Sequence, residues 1–152
     1  MKKLGLIFSA ILLSACAQQT TNDLKLSPPD IIKSGFIPLY QNSQEYIDTN
    51  SVQVDKSNKR LVHLDVVTNL STAAFVYKEQ PDTYAKSLRK HKTLNCENYI
   101  LIHNQQTFYS EFWGEGLSTI KQAQPTQPTA IAKHSPLYTV GQVICEKLYR
   151  NW

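Results

Sequence analysis

Histidine and cysteine are the residues of this 152-residue chain whose side chains could bind a metal or act as nucleophiles. The four histidines are far apart in the sequence, and none has the spacing of a zinc-binding pair on a helix: His63, His91, His103 and His134. His63 and Asp65 fall on one face of a predicted strand, but no motif places a serine or cysteine nucleophile beside them. The pattern predicts a protein that is not an enzyme and has no cofactor. Haem or metal binding at His91 or His103 is an open alternative.

Cys16 is predicted to carry a lipid. It follows a basic segment at Lys2 and Lys3 and a largely apolar run over residues 4–13, which is the order found in a secretory signal. The residues Leu13-Ser14-Ala15-Cys16 resemble the lipobox of bacterial lipoproteins, in which the chain is cut before the cysteine and the cysteine is lipidated. We therefore expect removal of residues 1–15 and a membrane anchor on Cys16. The alternatives are an ordinary signal peptide and a membrane-spanning helix. A spanning helix needs about 20 apolar residues, and this run has about half that number.

The residues after Cys16 indicate where the domain lies relative to the membrane. Lipoproteins kept at the inner membrane carry Asp at the next position, whereas this chain has Ala17, which favours the outer membrane. The residues up to Asp30 are mostly polar and include Pro28-Pro29, so residues 16–30 are predicted to be a flexible, lipid-anchored tether. Residues 31–152 are then a single domain, long enough to bury a hydrophobic core.

Two cysteines remain once Cys16 is assigned to the lipid. Cys96 and Cys145 would both lie in an oxidising compartment, where paired cysteines usually form a structural disulfide. Closing a loop of about 50 residues would stabilise the fold by about 4 kcal/mol if the effect is on chain entropy. A redox or metal-binding pair is the alternative, but the chain has no Cys-x-x-Cys motif and no histidine close to either cysteine in sequence.

The predicted mature chain is close to neutral. The sequence has 16 Lys and Arg residues and 12 Asp and Glu residues, and two lysines leave with the signal peptide, so 14 basic residues face 12 acidic ones. This excess is too small for a nucleic-acid-binding protein or a polybasic membrane protein. Any basic binding surface must therefore be local.

Sequence periodicity predicts the elements that hold these residues. The clearest strand covers residues 61–70, where Val62, Leu64, Val66 and Leu70 share one face. Similar short runs, separated by turns, recur from residue 36 to residue 109 as in an antiparallel meander. Ser135-Pro136 is a helix start signal, and apolar residues follow it at spacings of three and four: Leu137, Val140, Ile144 and Leu148. We predict an α+β fold, an antiparallel sheet of about six strands packed on a C-terminal α-helix and stapled by one disulfide.

Six segments in order resemble the surface-adhesin protein E family of Gram-negative outer-membrane lipoproteins. The resemblance runs from Leu24 to about Tyr149. The segments are Lys25-Leu26-Ser27-Pro28-Pro29, Tyr46-Ile47-Asp48, Val62-His63-Leu64-Asp65, Leu94-Asn95-Cys96-Glu97-Asn98-Tyr99, Phe108-Tyr109-Ser110-Glu111-Phe112-Trp113-Gly114-Glu115-Gly116-Leu117 and Val143-Ile144-Cys145. The resemblance implies a twisted antiparallel sheet packed on a C-terminal helix, with a disulfide at Cys96 and Cys145.

The resemblance also implies a function and a binding segment. It implies an adhesin that binds host extracellular-matrix and serum proteins such as vitronectin and laminin, attaches to epithelial cells, and forms a homodimer. The implied ligand-binding residues belong to the basic segment before Cys96: Lys86, Arg89, Lys90 and Lys92. Such a cluster could attract acidic patches on a partner. The other interpretation of the segment is a solvated strand edge, where lysines prevent edge-to-edge aggregation.

Two alternatives concern exposure. Phe112 and Trp113 precede a turn with Gly114 and Gly116, and we predict that the aromatic rings pack in the core. Exposed, they would form a dimer or ligand surface. The anchor does not determine which way the domain faces, so a periplasm-facing envelope lipoprotein with a structural or assembly role is the alternative to an adhesin at the cell surface.

Overall fold

The computed structural model describes residues 24–121 and 127–149, so the predicted signal peptide and Cys16 lie outside the described residues. The strands of the described part are β1 (Phe36–Pro38), β2 (Glu45–Val54), β3 (Leu61–Asn69), β4 (Val76–Tyr77), β5 (Gln80–Tyr84), β6 (Ser87–Asn95), β7 (Ile100–Glu111), β8 (Glu115–Lys121) and β9 (Thr129–Ala130). The helix α1 covers Pro136–Ile144, and a π-helical turn at Cys145–Tyr149 follows it. None of the helices in these two ranges is long and apolar enough to cross a membrane.

Within the described residues, seven strands form one antiparallel sheet. The order is β1-β2-β3-β6-β7-β8, and β9 pairs with the beginning of β7. The hairpin of β4 and β5 is separate from this sheet. The predicted α+β fold with a C-terminal helix and one disulfide is confirmed. The sheet has one strand more than the six expected because β9 is only two residues long and has no detectable period.

The main core lies between the sheet and α1. Buried aliphatic residues of β2, β3, β6 and β7 pack together here: Ile47, Leu64, Val66, Leu94 and Leu101. Leu137 and Val140 of α1 pack against them, as their spacing predicts, whereas the side chain of Leu148 lies outside the described part. We call this face of the sheet the helix side, and the opposite face the far face.

Local sequence signals fix the beginning and end of α1. The Tyr138 backbone N–H donates to the Ser135 hydroxyl at 3.1 Å, and Pro136 is the first helical residue, so the predicted start is confirmed. The Cys96–Cys145 disulfide joins the residue after β6 to the residue after α1. The helix is therefore attached covalently at one end and packed along its length.

Trp113 closes a second, aromatic cluster on the far face. Its ring is 5.0 Å from that of Phe36 and 4.7 Å from that of Tyr46, and the side chain is buried. The backbone N–H of Trp113 donates to the Asn69 side-chain oxygen at 2.9 Å. The prediction that Trp113 packs in the core is confirmed, and Phe112 beside it is half-buried.

The segment that begins at Leu24 is hydrogen-bonded to the rest of the domain. Leu26 donates a backbone hydrogen bond to Ser71, and Ala73 donates one to Leu24, both at 2.9 Å. This part of the predicted tether is therefore paired with the loop after β3, and the ordered domain begins before residue 31.

Candidate binding surface

The basic segment forms β6, in the middle of the sheet between β3 and β7. All nine residues of β6 pair with β3, so the interpretation of this segment as an exposed strand edge is wrong. Alternation along the strand places Lys90 and Lys92 on the helix side, and Arg89 and His91 on the far face. The structure therefore does not bring the predicted ligand-binding residues together on one face.

Arg89 is the centre of an ion-pair cluster on the far face. Its Nη1 donates to Oδ2 of Asp48 at 2.7 Å and to Oδ2 of Asp65 at 2.9 Å, and all three side chains are at most 15% exposed. Nδ1 of His91 lies 2.7 Å from the other oxygen of Asp65. Burial opposes the charge of Arg89, but the hydrogen bonds to Asp48 and Asp65 outweigh this and raise the pKa of its guanidinium. Arg89 is an internal cation, and its charge is already balanced inside the protein.

Gly114 brings the turn after β7 against Arg89. Nη2 of Arg89 donates to the carbonyl oxygen of Trp113 at 3.4 Å. Gly114 has φ 71°, and a Cβ on it would lie 2.8 Å from Nε of Arg89. The turn thus needs glycine for two reasons, a left-handed backbone and the close approach of the guanidinium.

Gly114→Ala is expected to lower the free energy of unfolding by about 2–3 kcal/mol, because the methyl group strains the backbone and displaces Arg89 from its carboxylates. Gly35→Ala is the matched control, since Gly35 also has positive φ but its nearest neighbour is the side-chain tip of the exposed Asn50. The control is expected to lose only about 1 kcal/mol. Urea unfolding of both variants measures the difference, and equal losses would contradict the role given to Arg89.

Lys86 and Lys90 are the two predicted ligand-binding residues that solvent reaches. Nζ of Lys86 lies 3.0 Å from Oε2 of Glu111, and Nζ of Lys90 lies 3.2 Å from Oε1 of Glu45. Both lysine side chains are about one-third exposed. Ion pairs of this kind contribute little to stability and exchange partners easily.

Lys92 is buried on the helix side, with 7% of its surface exposed. Its Nζ donates to Nδ1 of His103 at 2.9 Å. Burial, and then the charge of Lys90, lowers the pKa of Lys92 to about 8. Burial, and then the charges of Lys92 and Lys90, also lowers the pKa of His103. In contrast to Arg89, Lys92 has the imidazole of His103 and no carboxylate as a hydrogen-bond partner in the part of the chain that the structure describes.

Lys92→Met is expected to raise the free energy of unfolding by about 1–2 kcal/mol at pH 7, because an apolar side chain of similar length replaces a desolvated ammonium group. The gain should shrink between about pH 8, the pKa of Lys92 in the folded protein, and pH 10.5, the ordinary pKa of lysine. In that range the unfolded wild-type chain binds a proton that the folded one has lost, so wild-type stability rises relative to the variant.

The control for Lys92→Met is Lys90→Met, which removes the same charge from the same face of the sheet. Unlike Lys92, the wild-type Lys90 is paired with Glu45. We expect no gain in stability from Lys90→Met at any pH. Urea unfolding of the three proteins at pH 7 and pH 10 checks this, and a loss of stability in Lys92→Met at pH 7 would contradict the prediction.

The histidines are held in separate places. His63 pairs with Asp55 at 2.8 Å rather than with Asp65, and its other nitrogen lies 2.9 Å from the Thr93 hydroxyl. Hydrogen bonds from Ser57 and then His63 hold the pKa of Asp55 well below its usual range. His91 and His103 lie on opposite faces of the sheet, His91 beside Asp65 and His103 beside Lys92. Across the described residues, no group of three or more His, Cys, Asp or Glu side chains could hold a metal ion.

Sequence reasoning missed the acidic partners of the basic segment. Asp48 and Asp65 come from β2 and β3 and face each other across the strand pair. Asp48 and Asp65 stand within two of the segments that resemble the adhesin family, but nothing local to them indicates that they meet Arg89. The sequence shows that the segment is basic. It does not show the strand register that sets which acidic residues lie beside it.

The fold and sequence together identify the family. The sequence model of one family, described as surface-adhesin protein E, matches residues 37–146. The chain belongs to the surface-adhesin protein E family. Two relatives of that name, from two strains of Haemophilus influenzae, are each 42% identical to it over 149 residues, which is 95% of this chain and 92% of the relative.

Solved structures of the same family have the same fold. One structure of Haemophilus influenzae protein E is 40% identical, with a TM-score of 0.75 over 86% of this chain and 98% of that protein. A crystal structure of protein E from non-typeable Haemophilus influenzae is 42% identical, with a TM-score of 0.73 over 82% of this chain and 84% of that one. The resemblance to this family inferred from the sequence is confirmed, and it indicates a surface adhesin.

Proposed function

We propose that this protein is a lipid-anchored adhesin of the bacterial outer membrane, exposed at the cell surface, that binds host vitronectin and laminin and attaches to epithelial cells. The observation that carries the proposal is membership of the surface-adhesin protein E family over nearly the whole chain. The lipobox at Cys16 supports the anchor, and the polar residues after it support a tether that holds the domain away from the membrane.

Lys86 and Lys90 are the residues that we propose to contact an acidic patch of the host protein. Each is partly exposed and has one carboxylate partner near the surface, so a carboxylate of the host protein can replace that partner at little cost. Arg89 and Lys92 are too buried to make such contacts. They act on binding only through the shape and stability of the sheet.

Labelling of whole cells tests the exposure of the domain. An antibody to residues 31–152 is expected to label intact cells as strongly as permeabilised ones. A Cys16→Ala variant should lose the cell-bound signal because it has no residue to lipidate. Labelling of permeabilised cells alone would contradict the proposal and favour a periplasm-facing lipoprotein.

Binding to immobilised vitronectin and laminin tests the contact residues. The double variant Lys86→Gln/Lys90→Gln is expected to bind several-fold more weakly than wild type, with the largest loss at low salt, where exposed charges are least screened. The matched control is Lys56→Gln/Lys133→Gln, which removes the same charge from exposed positions elsewhere. Equal binding by the two double variants would contradict the assignment.

A further inference from the structure

A cavity of about 350 Å³ opens on the helix side, beside the start of α1. We call it the helix-side pocket. Its walls are mainly aliphatic, from Leu39, Leu101, Ile131 and Leu137. Leu101 is buried, and the other three are partly buried against the core. The cavity falls in the size range of sites that enclose small organic molecules.

The mouth of the helix-side pocket is open to solvent. Tyr40 and Pro136, which line it, are exposed. Thr129, Ala130 and Ala132 line it from the segment that includes β9 and are exposed too. A ligand can therefore enter from solvent without any change in the fold.

Lys92 and His103 supply the ionisable groups of this mainly apolar lining. A lysine ammonium group has three N–H donors, and the described hydrogen bonds of Lys92 use one of them, to His103 at 2.9 Å. Burying an ammonium group without a carboxylate in hydrogen-bond contact is costly, and the more distant charge of Glu45 offsets only part of that cost. An anion in the pocket would reduce the cost further.

Lys92 differs from the neighbouring basic residues in its burial and in its hydrogen-bond partner. Arg89 has two carboxylate partners, and Lys86 and Lys90 have one each. Lys92 is more buried than Lys86 or Lys90 and has no carboxylate among its hydrogen-bond partners. Among the described residues, Lys92 is the lysine or arginine of β6 without a carboxylate hydrogen-bond partner, and it is also the one that lines the helix-side pocket.

We propose that the helix-side pocket binds a small monocarboxylate with an apolar chain or ring. Its carboxylate accepts hydrogen bonds from Lys92, and its apolar part lies against Leu101, Ile131 and Leu137. The aliphatic walls exclude strongly hydrated anions such as inorganic phosphate, because they offer such an anion no replacement for its water. This site goes beyond adhesion to host proteins, which needs no pocket for a small molecule.

Three probes of equal chain length separate the charge from the apolar part: octanoate, octanol and octylammonium. Isothermal titration calorimetry with the whole mature domain is expected to show binding of octanoate, binding of octanol that is at least about tenfold weaker, and no binding of octylammonium. Equal binding of octanoate and octanol, or no binding of octanoate at millimolar concentration, would overturn the proposal.

Variants then assign the binding to Lys92. In Lys92→Met the affinity for octanoate is expected to fall at least about tenfold, while octanol binds as well as before. Lys90→Met, the matched control on the same face and outside the pocket lining, should bind octanoate like wild type. Unchanged octanoate binding by Lys92→Met would overturn the assignment. Because neither measurement involves host proteins or cells, its failure leaves the adhesin proposal unaffected.

Discussion

Arg89→Met is expected to lower the free energy of unfolding by about 3–5 kcal/mol. The substitution leaves the carboxylates of Asp48 and Asp65, each at most 15% exposed, without their shared cation. It also removes the hydrogen bond that joins the guanidinium to the carbonyl of Trp113. Urea unfolding followed by far-ultraviolet circular dichroism measures the loss.

Two further variants separate the buried cluster from an ordinary surface pair. Lys86→Met breaks the pair with Glu111, whose side chain is mostly exposed, and is expected to cost less than about 1 kcal/mol. The triple variant Arg89→Met/Asp48→Asn/Asp65→Asn should recover part of the lost stability, since it leaves no uncompensated charge. The interpretation fails if Arg89→Met costs no more than Lys86→Met.

The Arg89 variant also clarifies how the basic segment contributes to adhesion. If Arg89 acts only by holding β2, β3 and β6 together, then Arg89→Met weakens host binding only under conditions where it is partly unfolded. Lys86→Gln/Lys90→Gln should weaken binding while leaving stability nearly unchanged. A plain count of basic residues cannot make this distinction, because both kinds of residue lie within one short segment.

The parts of the fold that depend on local pattern were predictable from the sequence. The helix begins at Pro136 because Ser135 caps it and proline suits the first helical position. The strand at residues 61–70 was recognised by its period, and β3 ends one residue short of it. The disulfide followed from the cysteine count once Cys16 was assigned to the lipid. Each of these inferences needs only neighbouring residues or composition.

The partners of the basic segment depend on strand register and were not predictable. Asp48 lies 41 residues from Arg89 in the sequence, and Asp65 lies 24 residues from it. They meet because β3 pairs with both β2 and β6, and a slip of one residue would turn either carboxylate to the helix side. The same register turns Lys92 toward a pocket built partly from residues near 130 and from α1. Two basic residues three positions apart thus have unrelated roles.

Removing the disulfide is expected to cost about 4 kcal/mol. The double variant Cys96→Ala/Cys145→Ala opens a cross-link between residues 49 positions apart, and the unfolded chain gains the corresponding freedom. Urea unfolding should show this loss, and reduction of the wild-type protein with dithiothreitol should give a similar one without any substitution. A midpoint that neither treatment changes would contradict the prediction.

Hydrogen exchange locates where the disulfide acts. With the disulfide, α1 is held at its end by Cys145 and along its length by Leu137 and Val140. Without it, packing alone holds this nine-residue helix, and so short a helix is unstable in isolation. The amides in the middle of β3 and β6 should follow the global loss of about 4 kcal/mol, and those of α1 should lose more protection than this in the double variant. Since Leu137 also lines the helix-side pocket, octanoate binding should weaken together with the protection of α1. Uniform acceleration across helix and sheet would mean that the disulfide acts on the unfolded chain alone.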